Sequence, residues 1–123
     1  MENYGKELII DLHNCNVDKF NRKSLRIYFK KLCILIEMQR SKLVFWDDVG
    51  VPEEEKQTLL HTKGTSAIQF ILTSNITIHT LDLLGNVYIN IFSCKDFDSN
   101  DAAIFSIKYF EAHSYTQQTI DRT

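Results

Sequence analysis

Residues 64–94 restrict the fold of this chain most, because their pattern suits short strands joined by tight turns. Turn-forming residues, Thr73, Ser74 and Asn75 at one point and a glycine-containing segment further on, interrupt a sequence rich in β-branched residues. In the last run apolar residues alternate with polar or mixed ones up to Cys94, so one side should face a core. We therefore predict a three-stranded β-meander over residues 66–72, 76–80 and 87–93.

The segment before the meander predicts a strand, a long helix and a second strand. Residues 7–13 form a short apolar run with isoleucines, and residues 42–49 form another. Between them, residues 17–40 carry apolar side chains at three- and four-residue steps, and Asn16 or Asp18 can cap the first turn. The apolar positions of this helix are Phe20, Leu25, Tyr28 or Phe29, Leu32 and Ile36.

The segment after the meander predicts a second helix over residues 100–112, capped by Ser99, and a polar edge strand over residues 114–121. The predicted buried stripe of that helix is Ala103, Ile104, Ile107 and Phe110. Two helices on one face of a mostly antiparallel sheet bury all these apolar positions, which predicts the α+β class. The length fits one domain over residues 1–123, with an inserted segment at about 47–62.

Composition excludes several classes of protein. The net charge of −2 offers no overall attraction for nucleic acid or an anionic membrane. No apolar run reaches the roughly 20 residues that a membrane-spanning helix needs, and the start of the chain lacks the zones of a signal peptide. The three cysteines, with no CxxC spacing, indicate reduced thiols. We expect a cytoplasmic protein that binds neither nucleic acid nor membrane.

Two charged groups have both a functional and a simple interpretation. The first helix carries a basic stripe that could bind an anionic partner, although such a stripe is usually just the solvated side of an amphipathic helix. Its members are Lys19, Lys23, Arg26 and Lys30. Glu53, Glu54 and Glu55 follow Pro52 at the start of a short helix, where carboxylates favour the positive end of the dipole. Consecutive side chains diverge, so these carboxylates do not predict a metal site.

The residues with the most chemical potential are Ser66, Ser74, His79 and Cys94, all on or beside adjacent strands of the predicted meander. A turn serine can attack the preceding carbonyl, a histidine can transfer its proton at neutral pH, and a thiol can act as an acid. In an arbitrary chain these would more often be a turn serine, a strand-end histidine and a small buried cysteine. Neither His13 with Cys15 nor His79 with Cys94 has a recognised metal-ligand spacing.

Three motifs resemble those of the prokaryotic S-adenosylmethionine decarboxylases. The segment SNITIHT from Ser74, followed by Gly85 and VYINIFSC up to Cys94, resembles the family pattern ESHxTIHTWPExGYxxxDxFTC. The start GKELIIDLHNC resembles the family opening GxHLxxDxxxC, and GTS ending at Ser66 lies where the family has GVSG. The resemblance covers nearly the whole chain and implies the family's sandwich fold.

The resemblance also implies a mechanism. In that family the proenzyme cuts its own chain, here between Thr73 and Ser74, and Ser74 becomes a covalent pyruvoyl cofactor with no metal. Ser66 and His79 would assist the cut, and Cys94 would protonate the product carbon. The implied substrate is S-adenosylmethionine, the implied pathway is polyamine biosynthesis, and the implied assembly is a homodimer.

The chain departs from the family pattern at the substrate side. Asn75 replaces the histidine after the cleavage serine, and Leu83 replaces the glutamate that holds the ribose of S-adenosylmethionine. Asp82, one residue earlier, is a weak candidate to replace that glutamate. We therefore expect a decarboxylase whose substrate is S-adenosylmethionine or another amino acid such as ornithine or arginine. The alternative is an uncleaved, non-catalytic homologue that acts as a binding or regulatory subunit.

Overall fold

Six strands form one antiparallel sheet, and two helices cover one of its faces. The structure is a computed structural model that describes residues 2–123. The sheet order is β2-β3-β4-β5-β1-β6, and the core lies between the sheet and the helices. The elements are β1 (Gly5–His13), α1 (Arg22–Leu35), β2 (Arg40–Trp46), β3 (Gly64–Ile71), β4 (Ser74–Leu81), β5 (Asn86–Ser93), α2 (Ser99–Phe110) and β6 (Ser114–Arg122), with 3-10 turns at Val17–Lys19 and Glu53–Glu55. The α+β class is confirmed.

The three-stranded meander is present, but its first turn is shorter than predicted. Ile71 pairs directly with Ser74, so only Leu72 and Thr73 connect β3 to β4. Ser74 is therefore the first residue of β4 and not a turn residue. Its buried hydroxyl donates a hydrogen bond to the Ser93 hydroxyl on the neighbouring strand. The alternation predicted for β5 is correct, since Val87, Ile89 and Ile91 are all fully buried.

The first helix is shorter than the sequence pattern predicts, at both ends. The Asn21 side chain accepts a hydrogen bond from the Ser24 amide at 2.9 Å and starts the helix there, while Asn16 caps the preceding 3-10 turn. At the other end Glu37 adopts a left-handed φ of 57°, and the Met38 amide bonds the Cys33 carbonyl at 2.8 Å. This closure satisfies the last carbonyls and ends the helix. The predicted apolar stripe is buried, with both aromatic alternatives in the core.

The second helix is rotated relative to the prediction. Asp98, not Ser99, is the cap, because its carboxylate accepts a hydrogen bond from the Asp101 amide at 2.9 Å. Ile104 is half exposed, so its assignment to the buried stripe is wrong. The buried residues are Ala102, Ala103, Ser106 and Phe110. Tyr28 of α1 reaches Ser106 across the helix interface, with 2.7 Å between the two hydroxyl oxygens.

Strand β2 ends earlier than predicted, because Asp47 accepts hydrogen bonds from Arg22 at 2.7 Å through both carboxylate oxygens and from the Val49 amide. In the connection over residues 47–63, the short helix predicted after Pro52 is a single 3-10 turn at Glu53–Glu55. That this connection is an insertion in a single domain stays a prediction. The polar edge strand is confirmed as β6, which is exposed along its whole length and pairs only with β1.

Within the described residues 2–123, no helix is long and apolar enough to cross a membrane.

Candidate active site

Ser66 and His79 form a hydrogen-bonded pair on the face of the sheet that the helices leave uncovered. They are directly paired across β3 and β4, and Ser66 Oγ lies 2.7 Å from His79 Nδ1. The antiparallel register brings them together, because opposite side chains in such a pair share one face. An imidazole in this position can accept the serine proton or hold the hydroxyl in one orientation.

Thr73 and Ser74 lie at the other end of β4, in and beside the two-residue turn. Thr73 has a left-handed φ of 54°, a conformation that turns normally assign to glycine or asparagine and that is an outlier for a β-branched residue. Ser74 is buried and donates a hydrogen bond to Ser93 Oγ at 3.2 Å. Strain of this kind costs about 1–3 kcal/mol, and it is located on the residue whose carbonyl precedes Ser74.

Cys94 lies beside this turn at the end of β5. Its sulfur is 3.1 Å from Thr73 Oγ1, and either atom can be the donor. Hydrogen bonds from Thr73, and then from Tyr4 and Ser74, lower the pKa of the Cys94 thiol despite the opposing effect of desolvation. Burial raises the pKa of each of the other two cysteines, Cys15 and Cys33, to about 11. Cys94 is therefore the cysteine with the greatest thiolate character in the chain.

The structure thus brings the four predicted residues together as two clusters and not as one. Ser74 and His79 are five positions apart on β4, which corresponds to about 17 Å along a strand. They also point to opposite faces, since Ser74 shares the buried face with Ile76 and Ile78 while His79 is exposed. Within one chain, the Ser66–His79 pair is therefore separate from Ser74 and Cys94.

A cavity of about 590 Å³ opens beside the Ser66–His79 pair. The connection after β2 forms one wall with Asp48, and the exposed ring of Trp46 forms another. A concave site with aromatic and carboxylate walls next to a serine–histidine pair suits a small molecule that combines an apolar part with a positive charge. Sequence reasoning did not find Trp46 or Asp48, because only the fold brings them to His79.

Asp82 lies in a different cavity, of about 310 Å³, which it shares with Asp48 and Lys63. Its Oδ1 atom is buried and has no hydrogen-bond partner in the part of the chain that the structure describes. Desolvation raises the pKa of the Asp82 carboxyl, although Lys63 opposes this effect. Its predicted substrate-binding role stays a prediction, and Asp82 does not line the cavity beside the Ser66–His79 pair. Leu83 is 55% exposed.

Three members of the predicted basic stripe, Lys23, Arg26 and Lys30, are exposed, and Lys19 is half-buried. Lys19 lies over the ring of Tyr109, and Arg26 lies over the ring of Phe45. The acidic trio is exposed, and Glu53 forms an ion pair with Lys56 at 3.1 Å. Over residues 2–123, no group of three or more histidine, cysteine or acidic side chains is arranged to hold a metal ion.

The fold and the two clusters define a class of protein: a two-layer α+β protein with a serine–histidine pair on its open sheet face and a serine–cysteine cluster at a strained hairpin. The family model described as S-adenosylmethionine decarboxylase matches residues 6–123. The chain belongs to this family, whose name describes a carboxy-lyase activity.

Individual relatives agree with this assignment. An S-adenosylmethionine decarboxylase proenzyme from Sulfolobus acidocaldarius is 32% identical over 78 residues, and the match covers 58% of this chain and 64% of that protein, less than two thirds of its length. The proenzyme from Bacillus velezensis is 24% identical over 124 residues, covering 98% of this chain and 86% of that protein. The crystal structure of the adenosylmethionine decarboxylase from Aquifex aeolicus has a TM-score of 0.77 at 15% identity, covering 99% of this chain and 92% of that one, and it therefore supports the fold.

Proposed function

We propose that this protein is a pyruvoyl-dependent decarboxylase that forms by self-cleavage between Thr73 and Ser74. The observation that carries the proposal is the left-handed φ of Thr73, directly before a buried serine and beside the Cys94 thiol. Cleavage of the Thr73–Ser74 bond releases this backbone strain. The two curated relatives are named as proenzymes, which supports a precursor that is processed.

The residues present fit the chemistry of self-cleavage. Ser74 Oγ attacks the Thr73 carbonyl carbon, the bond from that carbon to the Ser74 nitrogen breaks, and the serine proton passes to this nitrogen, so that the amide becomes an ester with a free amine on residue 74. Removal of the Ser74 α-proton then expels the Thr73 carboxylate, and hydrolysis of the resulting enamine releases ammonia and leaves the pyruvoyl group. Ser93 accepts the hydrogen bond of the Ser74 hydroxyl and so orients the nucleophile.

The pyruvoyl group supplies a carbonyl that accepts the electrons left on the substrate when carbon dioxide departs. The role of Cys94 in the proposal is to donate a proton to the product carbon. Thr73 contacts its sulfur at 3.1 Å, which supports a position beside residue 74, where that carbon would lie. The substrate is S-adenosylmethionine or another amino acid such as ornithine or arginine, and a cytoplasmic location stays a prediction.

We further propose that the protein acts as a homodimer, because Ser66 and His79 lie too far from Ser74 of the same chain to assist its cleavage. The sheet face that carries them also exposes an apolar surface suited to contact with a second copy. This surface consists of Val44, Trp46, Ile68 and Phe70. In a face-to-face dimer the Ser66–His79 pair of one copy can approach the Thr73–Ser74 bond of the other.

Intact mass and a denaturing gel test the cleavage directly. The parent protein should convert from a 14.4 kDa chain into fragments of residues 1–73 and 74–123. A carbonyl-directed hydrazide should label only the second fragment, because only that fragment would carry the new ketone. Ser74→Ala should stay intact, and Ser114→Ala, at an exposed serine on β6, should cut like the parent. A parent chain that remains uncut and unlabelled after prolonged incubation would contradict the proposal.

A second candidate function is an uncleaved binding or regulatory subunit. Asn75 and the exposed Leu83 favour it, because each replaces a polar group that the family pattern uses. The expected result in that case is a folded, uncut protein that releases no carbon dioxide from labelled S-adenosylmethionine, ornithine or arginine. If Ser74→Ala abolishes a decarboxylation that the parent performs, this second candidate is wrong.

A further inference from the structure

The segment before β1 lies over Cys94, and its placement depends on contacts along three elements. The Tyr4 amide donates a hydrogen bond to the Arg122 carbonyl at 2.6 Å, which ties the segment to β6. The Tyr4 ring stacks on Phe92 of β5, with 6.3 Å between ring centroids and an interplanar angle of 16°. The sequence alone offers no signal for this contact, since Tyr4 and Cys94 are separated by most of the chain.

Gly5 makes the approach feasible. A Cβ atom on Gly5 would lie 2.1 Å from the Ser93 carbonyl oxygen and 2.7 Å from the Cys94 Cα, closer than any side chain allows. Only a glycine therefore lets the chain pass this close to the end of β5. Tyr4 and Cys94 consequently line one small cavity of about 210 Å³.

We infer that Tyr4 is a positioning residue for Cys94: the ring stacked on Phe92 and the close approach at Gly5 bring its phenol into the same small cavity as the sulfur, while Thr73 contacts the sulfur from the hairpin. The inference rests on the proposed function only for the role of Cys94, since the position of Tyr4 beside Cys94 does not depend on cleavage. The pKa values of Tyr4 and Cys94 shift in opposite directions, as expected when a phenol donates a hydrogen bond to a thiolate. The contact with Cys94 raises the pKa of Tyr4, while Thr73 and Tyr4 lower the pKa of Cys94.

Two lysines near the cavity make polar contacts with groups other than Cys94. Lys6 pairs with Asp96 at 3.0 Å and donates a second hydrogen bond to the Phe97 carbonyl, while Asp121 lines the same cavity. Lys95 donates to the Glu37 carbonyl at 2.5 Å. The hydroxyl groups next to the thiol are those of Thr73, which in this structure donates its proton to the Leu72 carbonyl, and of Tyr4, which shares the cavity with Cys94.

The test is the pH dependence of Cys94 alkylation by iodoacetamide, followed by peptide mass spectrometry. Cys15 and Cys33 serve as internal references, because burial raises the pKa of each to about 11 and slows their reaction. The variant Tyr4→Phe keeps the ring and removes the hydroxyl. The midpoint of the Cys94 profile should rise by about half a unit to one unit, and because a more basic thiolate is also more nucleophilic, the rate at pH 7 should fall only about two- to threefold.

The matched control is Tyr115→Phe, at a half-exposed tyrosine on β6, and it should leave the midpoint unchanged. Thr73→Val should also raise the midpoint of the Cys94 profile. Its shift shows how large an effect the loss of one neighbouring hydroxyl has in this assay. All variants are also measured with Ser74→Ala present, so that the chain stays intact whether or not the parent cuts itself. A Tyr4→Phe midpoint equal to the parent's, with Thr73→Val shifted, overturns the inference about Tyr4 and leaves the proposed function untouched.

Discussion

At the scale of single residues, the molecule places its strained and polar groups where a chemical role would need them. Thr73 combines a left-handed backbone with a β-branched side chain, and its hydroxyl reaches both the Leu72 carbonyl at 2.8 Å and the Cys94 sulfur. A structural hairpin would gain stability from glycine or asparagine at this position. A threonine at this position therefore costs folding stability, which is consistent with the proposed cleavage at the Thr73–Ser74 bond.

The ion pair between Arg22 and Asp47 gives a residue-scale prediction about pH. Arg22 holds the pKa of the Asp47 carboxyl below its usual value through two hydrogen bonds. A lowered folded-state pKa contributes stability that is fully present above the unfolded value of about 3.9 and is lost as pH falls through the folded value. Asp47→Asn should cost about 1–3 kcal/mol at pH 7 in urea unfolding, and the difference from the parent should shrink at low pH.

The matched control for this prediction is Asp18→Asn, since the Asp18 side chain is exposed and lies outside every ion pair of the described chain. The free energy of unfolding of Asp18→Asn should lie within about 0.5 kcal/mol of the parent value at every pH. If the difference in free energy of unfolding between the parent and Asp47→Asn stayed constant from pH 7 to pH 3, the ionised Asp47 carboxylate would not be the source of this stability.

At the scale of elements, polar as well as apolar contacts join the two helices, and the Tyr28–Ser106 hydroxyl pair is the fully buried one. Ser106 donates to the Ala102 carbonyl at 2.8 Å, so the Tyr28 hydroxyl must donate to Ser106. The Tyr28 ring also contacts four other aromatic rings, which fixes its orientation between α1 and α2. A polar contact of this kind sets the relative rotation of the two helices as well as adding stability.

Tyr28→Phe should lower the free energy of unfolding by about 1–2 kcal/mol. In the variant the Ser106 hydroxyl still donates to the Ala102 carbonyl, but its buried oxygen no longer accepts a hydrogen bond from residue 28. Urea unfolding of the parent and the variant measures the difference, and Tyr115→Phe on the exposed strand β6 is the control. Equal stability of Tyr28→Phe and the parent would mean that water or a side-chain shift replaces the lost bond.

The sequence predicted elements well where one periodicity dominated, and less well where local hydrogen bonds decided a boundary. The alternation in β5 and the apolar stripe of α1 identified their buried residues, since the period of each element fixes its face. The limits of α1 were set instead by the Asn21 cap and the left-handed Glu37, which apolar spacing does not reveal. Ile104 was misplaced because the helix rotation depends on its partner α1.

The candidate site was predictable as a set of residues and not as an arrangement. Motif resemblance selected Ser66, Ser74, His79 and Cys94, and the antiparallel register explains the contact between Ser66 and His79. The separation of the two clusters follows from strand rise and alternation, which become decisive only when strand boundaries are known. Tyr4 was missed because only the tertiary structure brings it into the same cavity as Cys94.

At the scale of the whole molecule, the proposed dimer predicts complementation between two inactive variants. A His79→Ala chain keeps Ser74, and a Ser74→Ala chain keeps Ser66 and His79, so each lacks one cluster. Neither should cut efficiently alone, whereas co-refolded mixtures should cut the His79→Ala chains that are paired with Ser74→Ala chains. With random pairing, about half of the His79→Ala chains have such a partner.

The measurement is a denaturing gel of the mixture, with mass tags that distinguish the two chains. Parent chains mixed with Ser74→Ala serve as the positive control. If size-exclusion and light scattering show mixed dimers but the His79→Ala chain stays intact, both clusters act within one chain or His79 has no part in cleavage.

The sheet order has a consequence for a protein cut at the turn between β3 and β4. The first fragment would hold β1, β2 and β3, and the second would hold β4, β5 and β6, yet β1 lies between β5 and β6. The two fragments would therefore be interleaved, with three separate strand-to-strand seams, β3 with β4, β5 with β1 and β1 with β6. Such a nicked molecule would keep its native mass and shape in solution, and the break would become visible only after the sheet is unfolded.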